Sequence, residues 1–170
     1  MGGVDKGLQL FKGQALVRHV LAALLPQSAE QIISANRNLD AYAALGVRVV
    51  RDTAGFGPLA GLAALLATAR HDWLLCVPCD APLLPPDLAQ TLYAAVAAAG
   101  CDAGFLHDGA EAHPTFCLLR TRLAASAQAA ALAEAGLHDW LSQQGAVAVQ
   151  GRAPINLNTA EELSTLERST

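Results

Sequence analysis

Short β-branched or apolar runs alternate with longer stretches of helical spacing along the 170-residue chain, and this alternation restricts the fold more than any single motif. Residues two apart share a strand face, whereas residues three and four apart share a helix face. A chain that switches repeatedly between the two periods satisfies both by laying helices against a sheet. Val17, Val20, Leu21 and Leu24 line one side of a helix over 14–25 that Pro26 ends. Gln31 to Ala35 reads as a strand, Arg37 to Leu45 as a helix closed by Gly46, and Val47 to Arg51 as a strand. Gly57, Pro58 and Gly61 open an alanine-rich helix reaching Ala69. Trp73 to Val77 is the most apolar strand and is expected at the sheet centre. Pro85 and Pro86 enter a helix that Gly100 stops, and strands are expected over 102–107 and 115–119. Helices near 121–135 and 137–144, a strand at 146–149 and a last helix from Thr159 complete the pattern.

Nothing in this pattern suggests a linker, so one domain over 1–170 is expected. The chain is long enough to bury about two-thirds of its unfolded surface. A formal charge of −4, with no basic run or stripe, argues against nucleic acid or anionic membrane as a partner. No apolar run reaches the about 18 residues that cross a bilayer. Cys76, Cys79, Cys101 and Cys117 lie among small or apolar neighbours with no secretory signal before them, which points to the cytoplasm. Cys76 and Cys79 have C-x-x-C spacing but no second pair at zinc spacing, so they are expected to be buried thiols without metal.

The strongest chemical signal is Val77, Pro78, Cys79, Asp80, Ala81, Pro82, which puts a carboxylate just after a buried strand. Ligands of open α/β sheets bind at that edge. A single carboxylate on a proline-stiffened loop suits Mg²⁺, which keeps most of its waters and reaches substrate phosphate; the alternative is that Asp80 caps a turn. Asp52 also follows a strand, with the same two options. Gly2, Gly3, Val4, Asp5, Lys6 and Gly7 read as the second half of a phosphate loop, glycines letting the backbone approach an anion and Lys6 adding charge. Such loops follow a strand, and none precedes Met1 here. Either the chain is truncated at its N-terminus or the loop is something else.

Asn36 follows a strand and can offer donor and acceptor to a base or sugar edge, or cap the helix after it. Gly55, Gly57 and Gly61 form a second glycine-rich loop at a helix entrance, for an anion or for close packing. Asn156 and Asn158 share a face before the last helix, one as a cap and one available to a ligand or loop. His107, Asp108 and His113 surround a loop between strands and suggest a His/Asp metal or acid/base site, or a loop histidine that caps a strand end. Trp140, with Leu137 and Leu141, is expected in the core.

The segments Gly2 to Gly7, Gly57 to Gly61, Pro78 to Pro82 and Asn156 to Leu163 resemble, in order and spacing, those of the molybdenum cofactor guanylyltransferases. The resemblance covers nearly the whole chain. It implies a Rossmann-like, three-layer α/β/α nucleotidyltransferase fold with a mostly parallel sheet, here lacking the first strand and half of the phosphate loop. It also implies transfer of GMP from GTP to the terminal phosphate of the molybdopterin cofactor, with release of pyrophosphate and Mg²⁺ as metal. Carried over by position, Lys6 contacts the GTP phosphates, Asn36 and Asp52 help hold the nucleotide, and Asp80 contacts nucleotide and Mg²⁺. Gly3, Gly57, Gly61, Asn156 and Asn158 fall on motif positions, and the stretch around His113 approaches the cofactor side. Transient partners would be proteins of cofactor synthesis or molybdoenzyme maturation. The family motif begins upstream with a strand, Leu-Ala-Gly-Gly and an arginine, none of which is present, so the expectation is a truncated form of a working enzyme. The competing expectations are a cytidylyltransferase or sugar-phosphate nucleotidyltransferase of the same fold, and a non-catalytic pterin- or nucleotide-binding protein.

Overall fold

The computed structural model describes residues 5–52, 55 and 57–152. The chain divides into two compact units. Of the described residues, the first contains 5–29 and 78–88; the second contains 30–52, 55, 57–77 and 89–152.

In the first unit, β1 (Leu10–Phe11) and β2 (Gln14–Ala15) form an antiparallel hairpin that runs into α1 (Leu16–Leu24). The two turn residues, Lys12 and Gly13, both have positive φ, 49° and 77°, the conformation that suits the twist of a two-residue hairpin. This turn takes residues 14–15 out of the helix expected to start there. Leu16, Val17 and Val20 are the buried stripe of α1, and the His19 ring nitrogen Nε2 lies 2.8 Å from the Phe11 carbonyl. Gln27 ties the second segment of this unit to the first. Its side-chain amide donates to the carbonyls of Ala23 and Pro85, both at 3.0 Å.

The second unit holds the remaining strands. β3 (Ile32–Ser34) and β4 (Arg48–Val50) pair in parallel, with α2 (Leu39–Ala43) between them in sequence. After α3 (Pro58–Thr68) come β5 (Trp73–Cys76), α4 (Leu88–Ala99), β6 (Ala103–His107) and β7 (Ala112–Arg120). Then follow α5 (Ala124–Leu132), α6 (Leu137–Gln143) and β8 (Val147–Gln150). The sheet order is β5-β7-β6-β8, with β7 antiparallel to both neighbours and β6 parallel to β8. Three of these four strands therefore run the same way, and the described residues have the mixed α/β architecture that the alternating sequence pattern implies. The expectation for Trp73 to Val77 needs correction. Among the described residues β5 stands at one end of this sheet, while β6 and β7 occupy the middle. Apolar character reports burial of a strand's faces, not how many strands flank it.

Leu59, Leu62 and Leu66 of α3 pack with Phe105, Cys117 and Leu119 of the sheet and with Trp140 and Leu141 of α6. Trp140 is in the core as expected, and its indole N–H donates to Ser126 Oγ at 3.1 Å. Such a donor needs a partner when buried. Gly104 lets α4 approach β6 closely. A Cβ there would meet Val96 Cγ2 at 2.6 Å and Val147 Cγ1 at 3.2 Å.

The β6–β7 connection is organised by one carboxylate. Asp108 Oδ1 accepts the backbone N–H groups of Ala110 at 2.9 Å and Glu111 at 2.8 Å, and Asp108 Oδ2 lies 2.9 Å from His113 Nε2. His113 is inside β7 rather than in the loop where it was expected, opposite Leu106. The strand begins earlier than its apolar pattern shows because Pro114 sits where the register shifts. Phe105 pairs with Cys117 but Leu106 pairs with His113, so the proline occupies a bulge, where the ladder tolerates a missing N–H.

Two outcomes follow from these contacts. Gly104→Ala is expected to lose about 1–3 kcal/mol through overpacking, and Gly104→Ala with Val96→Ala should recover part of it, as read by urea denaturation midpoints. The second concerns acid. The backbone N–H of Glu111, the His113 ring and the N–H of Ala110 hold the Asp108 carboxyl well below the usual carboxylate range. A depressed folded-state pKa contributes stability above the unfolded value, which is lost as pH falls through the folded one. NMR signals of the Ala110 and Glu111 amides should therefore stay fixed while ordinary carboxylates titrate, and move only at more acidic pH.

Candidate functional site

Within the first unit the structure brings together two residues 74 positions apart in sequence, Lys6 and Asp80, with Lys6 Nζ 3.7 Å from Asp80 Oδ2. Lys6 opens a short 3-10 turn, Lys6–Leu8, whose Gly7 is buried. Asp80 follows Pro78 and precedes the buried Ala81. At 9% exposure Asp80 is the one charged residue among those described that is classed as buried. Removing a carboxylate from water is costly unless a countercharge accompanies it. The ammonium of Lys6, 41% exposed in its side chain, supplies that charge and remains open to solvent. The local field is readable at Cys79. Burial first, then the negative charges of Asp80 and Asp5, push its thiol up to about 11. Cys79 is therefore a protonated thiol at neutral pH rather than a nucleophile.

The second unit carries Asn36 and Asp52. Ser34 and Val50 are register partners in the parallel pair β3–β4, and the Ala35 N–H donates to the Val50 carbonyl at 2.9 Å. Asn36 and Asp52 each lie two residues beyond that partnered pair, at the same level past the C-terminal ends of adjacent parallel strands. This is the edge where open α/β sheets bind ligands. Asn36 is exposed and Asp52 partly so. Asn36 does not cap α2. The residue before that helix is Asn38, in the left-handed conformation at φ 51°.

The glycines of the second loop separate by role. Gly57 has φ 80° and ψ −171°, a region essentially reserved to glycine, and it precedes Pro58 at the first turn of α3. Gly55 has φ 74°, and a Cβ there would collide with the Ala131 carbonyl oxygen. Gly61 serves packing, since a Cβ would come 3.2 Å from Ser34 Oγ. Ser34 itself escaped sequence inspection; its only signal was a hydroxyl ending an otherwise apolar strand. Asp108, named with His113 from the sequence, is its hydrogen-bonded partner and lines an open depression of about 600 Å³ with Ala110, Gln150, Gly151 and Arg152. Gly3, Asn156 and Asn158 lie outside the described residues.

Chemically, Lys6 and Asp80 can neutralise charge on a phosphate and hold a hard cation. A single carboxylate completed by water and phosphate oxygens is a usual Mg²⁺ arrangement. Among the described residues no group of three or more His, Cys, Asp or Glu could hold a metal without such help. The donor set therefore fits a metal shared with a phosphorylated substrate.

Comparison with known proteins agrees with this chemistry. Residues 1–148 match the MobA-like NTP transferase domain. A molybdenum cofactor guanylyltransferase of Pasteurella multocida is 44% identical over 172 residues, 97% of this chain and 91% of that protein. One of Burkholderia ambifaria is 45% identical over 183 residues, 99% and 89% of the respective chains. In structure the chain is similar to molybdopterin-guanine dinucleotide biosynthesis protein A from Archaeoglobus fulgidus, with a TM-score of 0.78, 20% identity and 98% and 91% coverage. It is also similar to 2-C-methyl-D-erythritol 4-phosphate cytidylyltransferase from Thermus thermophilus, with a TM-score of 0.72, 18% identity and 96% and 93% coverage. At such identities these two report the fold alone. With the family pattern over 148 residues and relatives above 40% identity along almost its full length, the chain belongs to the MobA-like NTP transferases, as a member of the molybdenum cofactor guanylyltransferase family.

Proposed function

We propose that the chain transfers GMP from GTP to the terminal phosphate of the molybdopterin cofactor, releasing pyrophosphate, as a single nucleotidyltransferase domain in the cytoplasm. The observation that carries this is the buried Asp80 beside Lys6, supported by family membership. A phosphate monoester is largely dianionic at neutral pH, its second pKa being about 6, so the acceptor needs no general base. An acceptor oxygen forms a bond to the α-phosphorus as the bond from that phosphorus to the bridging β-phosphate oxygen breaks. The protein's task is positioning and charge neutralisation.

Lys6 acts on the triphosphate and offsets charge gathering on the departing pyrophosphate. Asp80 holds Mg²⁺, which when bound would stabilise negative charge on phosphate oxygens. Asn36 and Asp52 are proposed nucleotide contacts, from their common level past β3 and β4 and from the family pattern. Gly57 admits the backbone conformation that opens α3, and His113, oriented by Asp108, is a proposed contact on the acceptor side. Gly3, Asn156 and Asn158 are proposed on the family pattern alone. Four free thiols suit a reducing compartment, and among the described residues no helix is long and apolar enough to cross a membrane. Protein partners in cofactor synthesis or molybdoenzyme maturation are proposed on the same family basis.

Asp80→Asn should lower kcat for Mg²⁺-dependent GMP transfer by about 10²–10³-fold, with a smaller change in KM for GTP. Lys6→Ala should act in the same direction. Amide hydrogen exchange across residues 5–29 and 78–88 establishes that the variant is folded; a folded Asp80→Asn chain with unchanged turnover overturns the assignment. Offered GTP, CTP and ATP separately, the wild-type chain should consume GTP, and preferential use of CTP would replace the guanylyl assignment with the cytidylyl one.

A further inference from the structure

Cys76 of β5 and Cys117 of β7 stand directly opposite each other across an antiparallel ladder. Opposed residues in such a ladder have Cα atoms about 4.5 or 5.5 Å apart, within the about 4.4–6.8 Å that a disulfide spans. Register partners also send their side chains to the same face. Here that face is the core beneath α3, α5 and α6, where Cys117 is fully buried and Cys76 packs against it while keeping partial exposure. The other two cysteines are committed differently. The Cys101 thiol faces the Val96 and Ala103 carbonyls at 3.8 and 3.2 Å, and Cys79 is held protonated by its surroundings.

We propose that Cys76 and Cys117 form a peroxide-sensitive thiol pair in which Cys76 attacks first and Cys117 resolves, closing a disulfide that staples β5 to β7. Cys76 keeps partial exposure whereas Cys117 is buried, which gives Cys76 the first encounter with an oxidant. Hydrogen peroxide is small enough to suit a residue that is only partly exposed. The Cys76 thiolate, having released its proton, attacks one peroxide oxygen; the O–O bond breaks, leaving Cys76 sulfenic acid and a hydroxide that takes up that proton as water. Cys117 sulfur then attacks Cys76 sulfur, the S–O bond breaks, and the departing hydroxyl leaves as water with the Cys117 proton. Two thiols are oxidised, one peroxide is reduced and two waters form.

The test is covalent and independent of nucleotidyl transfer. The full-length reduced chain is exposed to graded hydrogen peroxide, blocked with N-ethylmaleimide and digested without reductant for mass spectrometry. The expected product is the Cys76 and Cys117 peptides joined, reversed by dithiothreitol, at peroxide levels that leave Cys101 alkylated. Cys117→Ala should remove the joined peptide and carry Cys76 on to sulfinic or sulfonic acid; Cys76→Ser should leave Cys117 as a thiol. Because the wild-type chain carries the primary measurement, a poorly folding variant does not decide the outcome. The proposal is overturned if Cys76 and Cys117 remain fully alkylated while Cys101 is oxidised, or if Cys76 links instead to Cys79, Cys101 or another molecule.

Discussion

The second unit depends on one reversed strand. β7 pairs with β5 on one side and β6 on the other, and β6 carries β8. The β5–β7 and β6–β8 pairings join distant parts of the chain, so their loop-closure cost must be met before the contacts that repay it exist. The contacts that repay it are the apolar ones of Phe105, Cys117 and Leu119 with α3 and α6. The bulge at Pro114 follows from the same arrangement. A strand of nine residues that must serve two neighbours absorbs a proline only where one ladder is interrupted.

In the first unit the organising quantity is charge. Asp80 is buried to a degree that few carboxylates reach, and its stabilisation comes from an ammonium that keeps a wet side. Such an arrangement is poor as a structural staple, since burying an ion pair gains little over apolar packing. In the role proposed for it, receptor of a phosphate and its metal, such a pair would be economical, because carboxylate and ammonium already stand together and little reorganisation would remain to be done.

Much of this was legible in the chain. Strand positions around Val49, Phe105 and Val149 follow from apolar runs bounded by glycine, that around Ile33 from a short apolar run between polar residues, and Pro26, Gly46 and Gly100 mark helix ends that local chemistry dictates. Asp80 was visible because a carboxylate after so apolar a strand conflicts with its surroundings. The β1–β2 hairpin was missed because its turn is Lys12–Gly13, where a lysine adopts positive φ that its type seldom takes. The lateral place of β5 was misjudged because hydrophobicity carries no record of strand order. His113 was put in a loop because the apolar run that marks the strand starts only after Pro114, and only the register shift shows how a bulge accommodates the proline. Asn36 and Asp52 were each legible as residues that follow a strand, but that the two strands pair in parallel and put them at one level no local pattern reveals.

The chain has two tryptophans, and both belong to the second unit: Trp140 sealed in the core, and Trp73 half-buried with the Arg120 guanidinium 4.2 Å from its ring centroid. Intrinsic fluorescence is therefore a regional instrument in this protein. Its reporters lie on β5 and α6, and the segments that carry Lys6 and Asp80 contribute none.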